Sequence, residues 1–509
     1  MPAFSGQHAG VDSPEPPPSS AGGPLPGWLA VALVVGTSGA VLVLEILAGR
    51  LMAPYVGVSL ETYTGIIGTV LAGIAVGAWA GGELADRIDP RRLIPLLLLV
   101  GGALAIASIP LVRLVGEGLG EAGAPGIVML SAIGFLPAAT VLSGVPPAVV
   151  KLQLRELAAT GTTVGRLSAW GTAGAIVATF LTGFVLVAWA AVTTLIVAVG
   201  IALIVAGAAL AATSREHAPA RNELLGVGGL AAVALLGVAA VDAPCDTQTA
   251  YYCVSIVDDP ANPSGRTLVL DDLRHSYVDL EDPTNLQFWY VRRLVDAVEA
   301  YAPDGQLDIT YLGGGGLTIP RYVRATRPGS VQTVHEIDGD LVDIVTDDLG
   351  LEPGADLRID VGDARLRLAE RAADTADVVI GDAFGSRAVP WHLATEEFIE
   401  EIDRVLRPGG IYAANIIDEQ AQNFLRAEAA TIARVLPYVS VVLGPSAAEG
   451  FAGNSVIVAS DEPFDPERLD AALGDDGGRR VVDVDDYLDG ATILTDDFAP
   501  VDQLISRGS

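Results

Sequence analysis

Basic residues are scarce in this chain, and lysine is almost absent. The 509 residues hold 30 Lys+Arg against 62 Asp+Glu, a net charge of −32, and the single lysine is Lys151. A nucleic-acid-binding protein needs a basic face toward the phosphates, so the composition argues against that class of partner. An acidic surface attracts small cations, and it also keeps a protein soluble in salty or crowded surroundings.

Cysteine and histidine are also rare. Cys245 and Cys253 are the two cysteines, and only five histidines are present, none clustered with them. The spacing of these residues matches no zinc site, so we expect no metal. The cysteines flank a seven-residue loop just after the last long apolar run. A disulfide is expected if that loop lies outside the cytoplasm, and two inert thiols if it lies inside.

Long apolar runs dominate the first half of the chain. Residues 1–27 are rich in Pro, Ser and Gly and predict a disordered tail. The tail has no basic segment and no clear cleavage site, so the first apolar run is interpreted as a membrane anchor rather than a signal peptide. Residues 28–242 contain runs long enough to cross ~30 Å of hydrocarbon. The seven predicted spans are 28–49, 62–82, 93–115, 125–150, 167–189, 191–212 and 223–241.

The charges suggest how these spans are oriented. Residues 1–242 have a net charge of −3, and residues 243–509 have −29. Bases concentrate in the loops after the second, fourth and sixth spans, which should therefore face the cytoplasm. These bases are Arg87, Arg91, Arg92, Lys151, Arg155, Arg166, Arg215 and Arg221, against Arg50 and Arg113 in the opposite loops. An odd span count then places residues 243–509 outside, and an even count would return them to the cytoplasm.

Two features of the helical half are compatible with transport. Gly81–Arg92 resembles the loop between the second and third helices of major facilitator transporters. Glu45 lies inside the first span, and an acid there is a functional candidate. The alternative, which we favour, is a structural pair with Arg50 or a helix–helix hydrogen bond.

The second half alternates between strand-like and helix-like segments. A small β region and one helix are predicted within residues 243–305, which also link the two halves. Residues 306–509 follow a regular βα pattern, with strands near 307–312, 331–336, 357–360, 376–381, 410–415, 439–443 and 454–459. This pattern predicts a parallel sheet covered on both faces. The expected fold is a multi-pass α-helical membrane domain followed by an α/β Rossmann-like domain of the S-adenosylmethionine-methyltransferase type.

A glycine run and three acids follow successive predicted strands. Gly313, Gly314, Gly315 and Gly316 follow the first strand, and without Cβ atoms they let the backbone turn sharply toward a ligand. The later strands end at acids that could accept ribose hydroxyls, an adenine amino group and reacting atoms, respectively. These acids are Glu336, Asp363 and Asp382. Helix capping would explain any one of them but poorly explains all three.

The glycine run also bears on the ligand. It differs from the Gly-x-Gly-x-x-Gly pattern of dinucleotide sites, and no lysine is available for a pyrophosphate. We therefore expect a mononucleoside such as S-adenosylmethionine or its decarboxylated form rather than NAD.

These motifs resemble the spermidine synthase (polyamine aminopropyltransferase) family, in its membrane-fused form. The resemblance runs from about Leu268 to Ile416 and preserves family order in 311–317, 334–338, 361–364, 379–383 and 406–411. It implies transfer of an aminopropyl group from decarboxylated S-adenosylmethionine to a diamine such as putrescine. By this resemblance Glu336 holds the ribose, Asp363 the adenine and Asp382 the attacking amine.

The chain departs from the family at its amine-binding residues. Gly316 and Gly385 stand where the family has acids, and the family's Asp-Glu and Tyr-His-Glu segment is missing. His275 and Tyr277 lie in the comparable region and are candidates for a different acceptor site, although structural roles are equally consistent. His392, after Pro390-Trp391, lies where the family has a substrate loop.

Three functions remain open at this point. The first is a membrane-bound aminopropyltransferase acting on a small cationic amine. The second is a methyltransferase that uses S-adenosylmethionine on another acceptor. The third is a transporter or sensor whose second half only binds a nucleoside or polyamine. Membrane lipid is an expected partner in each case, and soluble relatives often form homo-oligomers.

Overall fold

The computed structural model describes residues 25–506, except 121–122, 155–159, 214–218, 303, 352, 386–387, 466, 469–470 and 472–476. Residues 1–24 of the predicted tail lie outside the described residues, as do Arg155 and Arg215.

The first half is helical throughout the part of it that is described. Its helices are α1 (Gly27–Val56), α2 (Leu60–Arg87), α3 (Pro90–Gly120), α4 (Gly123–Gly134), α5 (Leu136–Ser143), α6 (Val145–Gln153), α7 (Thr160–Leu181), α8 (Val187–Trp189), α9 (Val192–Thr213) and α10 (Arg221–Ala240). A π-helical turn joins α7 to α8. Among the described residues, six continuous helices are long and apolar enough to cross a membrane, and α4 with α5–α6 forms a further pair bent by 47°. The seven predicted spans coincide with these segments.

Polar contacts between helix ends show how the chain alternates between the two ends of the bundle. Lys151, in α6, forms an ion pair with Asp86 at the end of α2. Helices α2 and α6 therefore finish at the same end, so the bent pair crosses the bundle once. At the other end, Arg50 near the end of α1 donates to the carbonyl oxygens of Thr249, at 3.1 Å, and Tyr251. The second half of the chain thus begins where α1 ends, which requires an odd number of crossings.

A small antiparallel sheet opens the second half. Its strands pair in the order β1 (Thr247–Gln248), β2 (Cys253–Asp259), β3 (Asn262–Leu270) and β4 (Leu273–Asp279). The β3–β4 hairpin was predicted, whereas β1 and β2 were not. Cys245 and Cys253 form a disulfide, which closes the loop between the last membrane helix and β2.

The main sheet has eight strands in the order β12-β10-β11-β9-β8-β5-β6-β7. They are β5 (Asp308–Leu312), β6 (Val331–Glu336), β7 (Leu357–Val361), β8 (Ala376–Gly381), β9 (Leu406–Asp418), β10 (Tyr438–Leu443), β11 (Gly453–Ser460) and β12 (Arg479–Arg480). Neighbours from β7 through β9 pair in parallel, but β11 lies antiparallel between β9 and β10. The prediction of a parallel sheet is therefore wrong for β11, β12 was not predicted, and the sheet is mixed.

Helices cover both faces of this sheet. They are α11 (Trp289–Tyr301), α12 (Thr318–Thr326), α13 (Gly339–Asp348), α14 (Ala364–Ala369), α15 (Glu396–Val405), α16 (Asn423–Val435) and α17 (Pro445–Ala448). Apolar residues of α11, α12 and α13 pack with one face, and those of α14, α15 and α16 with the other. The crossover direction changes between β5 and β8, which is where open α/β sheets form a ligand crevice.

The packing of α2 predicts unequal effects at two adjacent glycines. A Cβ on Gly81 would lie 2.3 Å from the Cα of Gly144, whereas a Cβ on Gly82 would have nothing within 4 Å. We expect Gly81→Ala to lower the melting temperature of the detergent-solubilised protein, because the helices must separate. The matched variant Gly82→Ala should leave it unchanged or raise it, since alanine favours helix. Equal melting temperatures for the two variants would contradict this packing.

Candidate active site

The glycine turn that follows β5 packs against the residue that follows β8. Gly313 follows β5 with φ +93°, in the left-handed region that favours glycine. A Cβ at this position would lie 2.4 Å from the carbonyl oxygen of Asp382. The backbone of Asp382 in turn donates its N–H to the carbonyl of Leu312 at 2.9 Å. The absence of a side chain at Gly313 therefore allows the turn and the strand end that carries Asp382 to meet.

Glu336 is anchored to the same turn. One carboxylate oxygen accepts the N–H groups of Gly314 at 2.8 Å and Gly315 at 3.4 Å, and the other accepts the N–H of Asp338 at 3.0 Å. The side chain is only 7% exposed, and burial raises its pKa, while these N–H bonds act in the opposite direction. The carboxylate is thus fixed at the end of β6, with lone pairs left to accept from a ligand.

Asp363 follows β7, and each of its two carboxylate oxygens makes a separate contact. One oxygen accepts the N–H of Leu366 at 3.0 Å and caps α14. The other is 2.8 Å from Nε2 of His392. The capping role considered from the sequence is therefore present, but the bond to His392 aims the carboxylate into the cleft as well. His392 lies on the loop after β8, so this contact joins two sides of the cleft.

Asp382 follows β8 and lines the cleft. Enclosure by the protein raises the pKa of its carboxyl to about 6, and a hydrogen bond from Asn415 at 2.9 Å opposes that rise. Asn415 is oriented in turn by Asn454, which donates to it at 3.0 Å. A carboxyl held this way can exchange a proton near neutral pH.

His275 and Tyr277 are separated by an irregularity in β4. Leu268 pairs with Ser276 and Val269 pairs with Arg274, so His275 is an extra residue in the strand. His275 and Ser276 both line the cleft. Tyr277 is not among the residues that line the cleft, and its hydroxyl donates to Asp259, at the end of β2, at 2.9 Å.

Burial also determines the state of His275. It lowers the pKa of the imidazole to about 4, so the ring is neutral at physiological pH. Its Nε2 is buried and has no hydrogen-bond partner among the described residues. A role of His275 in an acceptor site stays a prediction.

The fourth glycine of the turn, Gly316, packs against β4 and does not line the cleft. Gly316 donates its N–H to the hydroxyl of Ser276 at 2.9 Å. A Cβ at this position would lie 2.7 Å from the Cβ of Ser276. The cleft is lined by Gly313, Gly314 and Gly315 but not by Gly316. An acidic side chain at position 316 would therefore need the β4 backbone to move.

Sequence reasoning missed two residues that form the site. Tyr252 lines the cleft and donates its hydroxyl to the carbonyl of Phe384 at 3.0 Å. Asn415 orients Asp382, as described above. The signal for Tyr252 was its position beside Cys253, because the disulfide fixes this loop. The signal for Asn415 was a lone amide near the end of an apolar strand.

The cleft as a whole is acidic. It contains about 720 Å³ of unfilled space, solvent at its mouth included. Among the described residues that line it, Glu336, Asp363 and Asp382 are the acids, and no lysine or arginine is present. Likewise, the described residues contain no cluster of His, Cys, Asp and Glu that could hold a metal ion. The lining suits a cationic nucleoside in which positive charge lies near Asp382.

No protein-family model matches the chain. A polyamine aminopropyltransferase from Vibrio vulnificus (strain CMCP6) is 28% identical over 141 residues, which is 27% of this chain and 46% of that protein. The chain therefore spans about half the length of this curated relative. The C-terminal half of the chain is thus similar in sequence to a polyamine aminopropyltransferase.

Solved structures give similarities of the same kind. A probable spermidine synthase from Corynebacterium glutamicum ATCC 13032 is 27% identical and covers 48% of this chain and 94% of its own, with a TM-score of 0.46. Spermidine synthase from Thermotoga maritima is 20% identical and covers 48% and 86%, with a TM-score of 0.37.

Substitutions at two glycines should distinguish the effect of backbone strain from the effect of crowding at the glycine turn. Gly305 and Gly313 have nearly equal φ values, +94° and +93°, but a Cβ on Gly305 would have nothing within 4 Å. We expect Gly313→Ala to abolish binding of methylthioadenosine in calorimetric titration, because the turn must move away from Asp382. Gly305→Ala carries the same backbone strain and should bind normally. Normal binding by Gly313→Ala would remove the turn from the ligand site.

Proposed function

We propose that the protein is a membrane-bound aminopropyltransferase that uses decarboxylated S-adenosylmethionine and a primary amine. The observation that carries this proposal is Asp382, a carboxyl with a pKa near 6 in the lining of an acidic cleft beside a Cβ-free turn. The similarity of the C-terminal half to a polyamine aminopropyltransferase adds support. The amine to be modified binds through its positively charged ammonium group.

The nucleoside would occupy the side of the cleft formed by β5, β6 and β7. Glu336 has lone pairs available for the two ribose hydroxyls, and its backbone bonds keep it from turning away. Asp363 would accept from the adenine amino group with the lone pairs that Leu366 and His392 leave free. Gly313, Gly314 and Gly315 allow the sulfur end of the ligand to approach the backbone closely.

The reaction itself needs alignment and one proton acceptor. The amine nitrogen forms a bond to the methylene next to the sulfonium, the carbon–sulfur bond breaks, and its electron pair remains on sulfur as methylthioadenosine leaves. The sulfonium is already a good leaving group, so holding both reactants in line is the main contribution. The nitrogen must shed a proton, and the Asp382 carboxylate is the group placed to accept it.

A methyltransferase is the second candidate, and Gly316 is the observation that favours it. The family's acid for the aminopropyl ammonium has no counterpart here, and Ser276 occupies the space that its side chain would need. Without that acid the cleft has less to distinguish decarboxylated S-adenosylmethionine from S-adenosylmethionine. The two candidates differ in the mass they add to an acceptor.

The crossing pattern and the distribution of bases support a proposal for the side of the membrane on which the active domain lies. The bundle end that holds Arg92 and Lys151 is the cytoplasmic end by the positive-inside rule. The C-terminal domain begins at the opposite end, beside Arg50. We therefore propose an extracytoplasmic domain, which agrees with a disulfide between Cys245 and Cys253.

Asp382 is the residue whose change should separate binding from transfer. With decarboxylated S-adenosylmethionine and a panel of primary amines, the wild-type protein should produce methylthioadenosine and an aminopropylated amine, detected by mass. Asp382→Asn should produce neither, yet bind methylthioadenosine as tightly as the wild type.

Because the raised pKa leaves the carboxyl protonated at low pH, the wild-type rate should fall as the pH drops through about 6.

Two results would contradict this assignment. Turnover by Asp382→Asn at the wild-type rate would exclude Asp382 as the proton acceptor. Products one methyl group heavier, formed from S-adenosylmethionine while the decarboxylated form is inert, would replace the aminopropyltransferase with the second candidate.

A further inference from the structure

Exposed apolar side chains lie at the same edge of the main sheet as the cleft, and one of them, Ile337, also lines the cleft. Ile337 follows β6, Val361 ends β7, Leu366 lies in the first turn of α14, and Trp391 lies on the loop after β8. All are at the carboxyl edge of the main sheet, and Leu366 is 69% exposed. Water is an unfavourable neighbour for such a group of side chains, so a partner surface is expected. These four residues and Tyr251, which is also exposed, are called the rim below.

The rim is attached to the helical half through one short loop. Thr249 donates its hydroxyl to the Asp338 carboxylate at 2.5 Å, while its carbonyl accepts from Arg50 of α1 at 3.1 Å. The carbonyl of Tyr251 also accepts from Arg50. The same loop therefore contacts a membrane helix on one side and the carboxyl edge of the sheet on the other.

The position of Tyr251 agrees with this attachment. Burial raises the pKa of its hydroxyl, and the nearby carboxylates of Asp338, Glu336 and Asp363 raise it further. Its side chain thus lies beside the acids of the cleft while its backbone is held by α1. The cleft mouth is consequently close to the end of the helical bundle, where the lipid surface begins.

We propose that the rim rests on the lipid surface around the end of α1, so that the cleft opens at the lipid–water interface. Continuity supports lipid as the occupant, because the loop from Asp242 to Tyr252 joins the last membrane helix directly to the rim. The residue types agree, since Trp and Tyr favour the interface and aliphatic side chains favour the acyl boundary.

This placement specifies the acceptor class, and that consequence rests on the proposed function. Leu270, Phe384 and Leu393 line the same cleft as Asp382, which is the one acid of the lining left once Glu336 and Asp363 hold the nucleoside. A single carboxylate among apolar side chains fits one ammonium group on an apolar body. The acceptor is therefore an amphiphilic primary amine that enters from the interface, rather than a water-soluble diamine.

Site-directed spin labelling of the full chain in lipid nanodiscs tests the placement. Both native cysteines are bridged, so Leu366→Cys and Val361→Cys each offer one free thiol for a nitroxide label. Val331→Cys is the matched control, because Val331 is an exposed apolar residue at the amino edge of the same sheet. Phe184→Cys, exposed on the membrane half, gives the lipid reference. Collision with oxygen and with a water-soluble nickel chelate is measured for each label.

The proposal expects both rim labels to favour oxygen over the chelate, as the Phe184 label does, while the Val331 label favours the chelate. Chelate accessibility at both rim sites equal to that at Val331 would overturn it. Low accessibility to both reagents would also overturn it, because protein rather than lipid would then cover the rim. No substrate is used, so a lipid-like result without any transferase activity would retain the placement and reject the proposed function.

Discussion

The close approach of Gly313 to the backbone of Asp382 is the contact on which the rest of the site depends. It brings the ends of β5 and β8 together at the point where the crossover direction changes. Glu336 is then fixed by the N–H groups of Gly314 and Gly315, and Asp382 is enclosed enough for its pKa to rise to about 6. Each feature needs a turn without side chains, which explains why a four-glycine run is the most informative part of the sequence.

The sequence predicted what depends on local pattern. Strands β6 and β8 were predicted with the observed limits, because a buried strand that ends at a glycine or acid has a clear boundary. The three acids were assigned to one edge of the sheet, and the structure brings them to one cleft. The direction of β11 was not predictable in the same way. An apolar strand looks alike in both directions, and only long-range pairing with β9 and β10 sets its orientation.

The remaining errors have a similar origin. His275 and Tyr277 are two residues apart, so a regular strand would place both on one face. The irregularity at His275 breaks that alternation and turns Tyr277 toward Asp259. Tyr252 was missed because its place in the cleft is set by the Cys245–Cys253 disulfide and by Arg50, which lies some 200 residues away in the sequence. Contacts between the two halves of the chain produce no repeating pattern of residue types in the sequence.

A structure of the full chain bound to methylthioadenosine tests the central claim most directly. The ribose hydroxyls should lie within hydrogen-bonding distance of Glu336, the adenine amino group near Asp363, and the sulfur near the glycine turn on the side of Asp382. Density for the ligand elsewhere, or an adenosine in the cleft whose sulfur points away from Asp382, would contradict the assignment of this cleft as the site of group transfer.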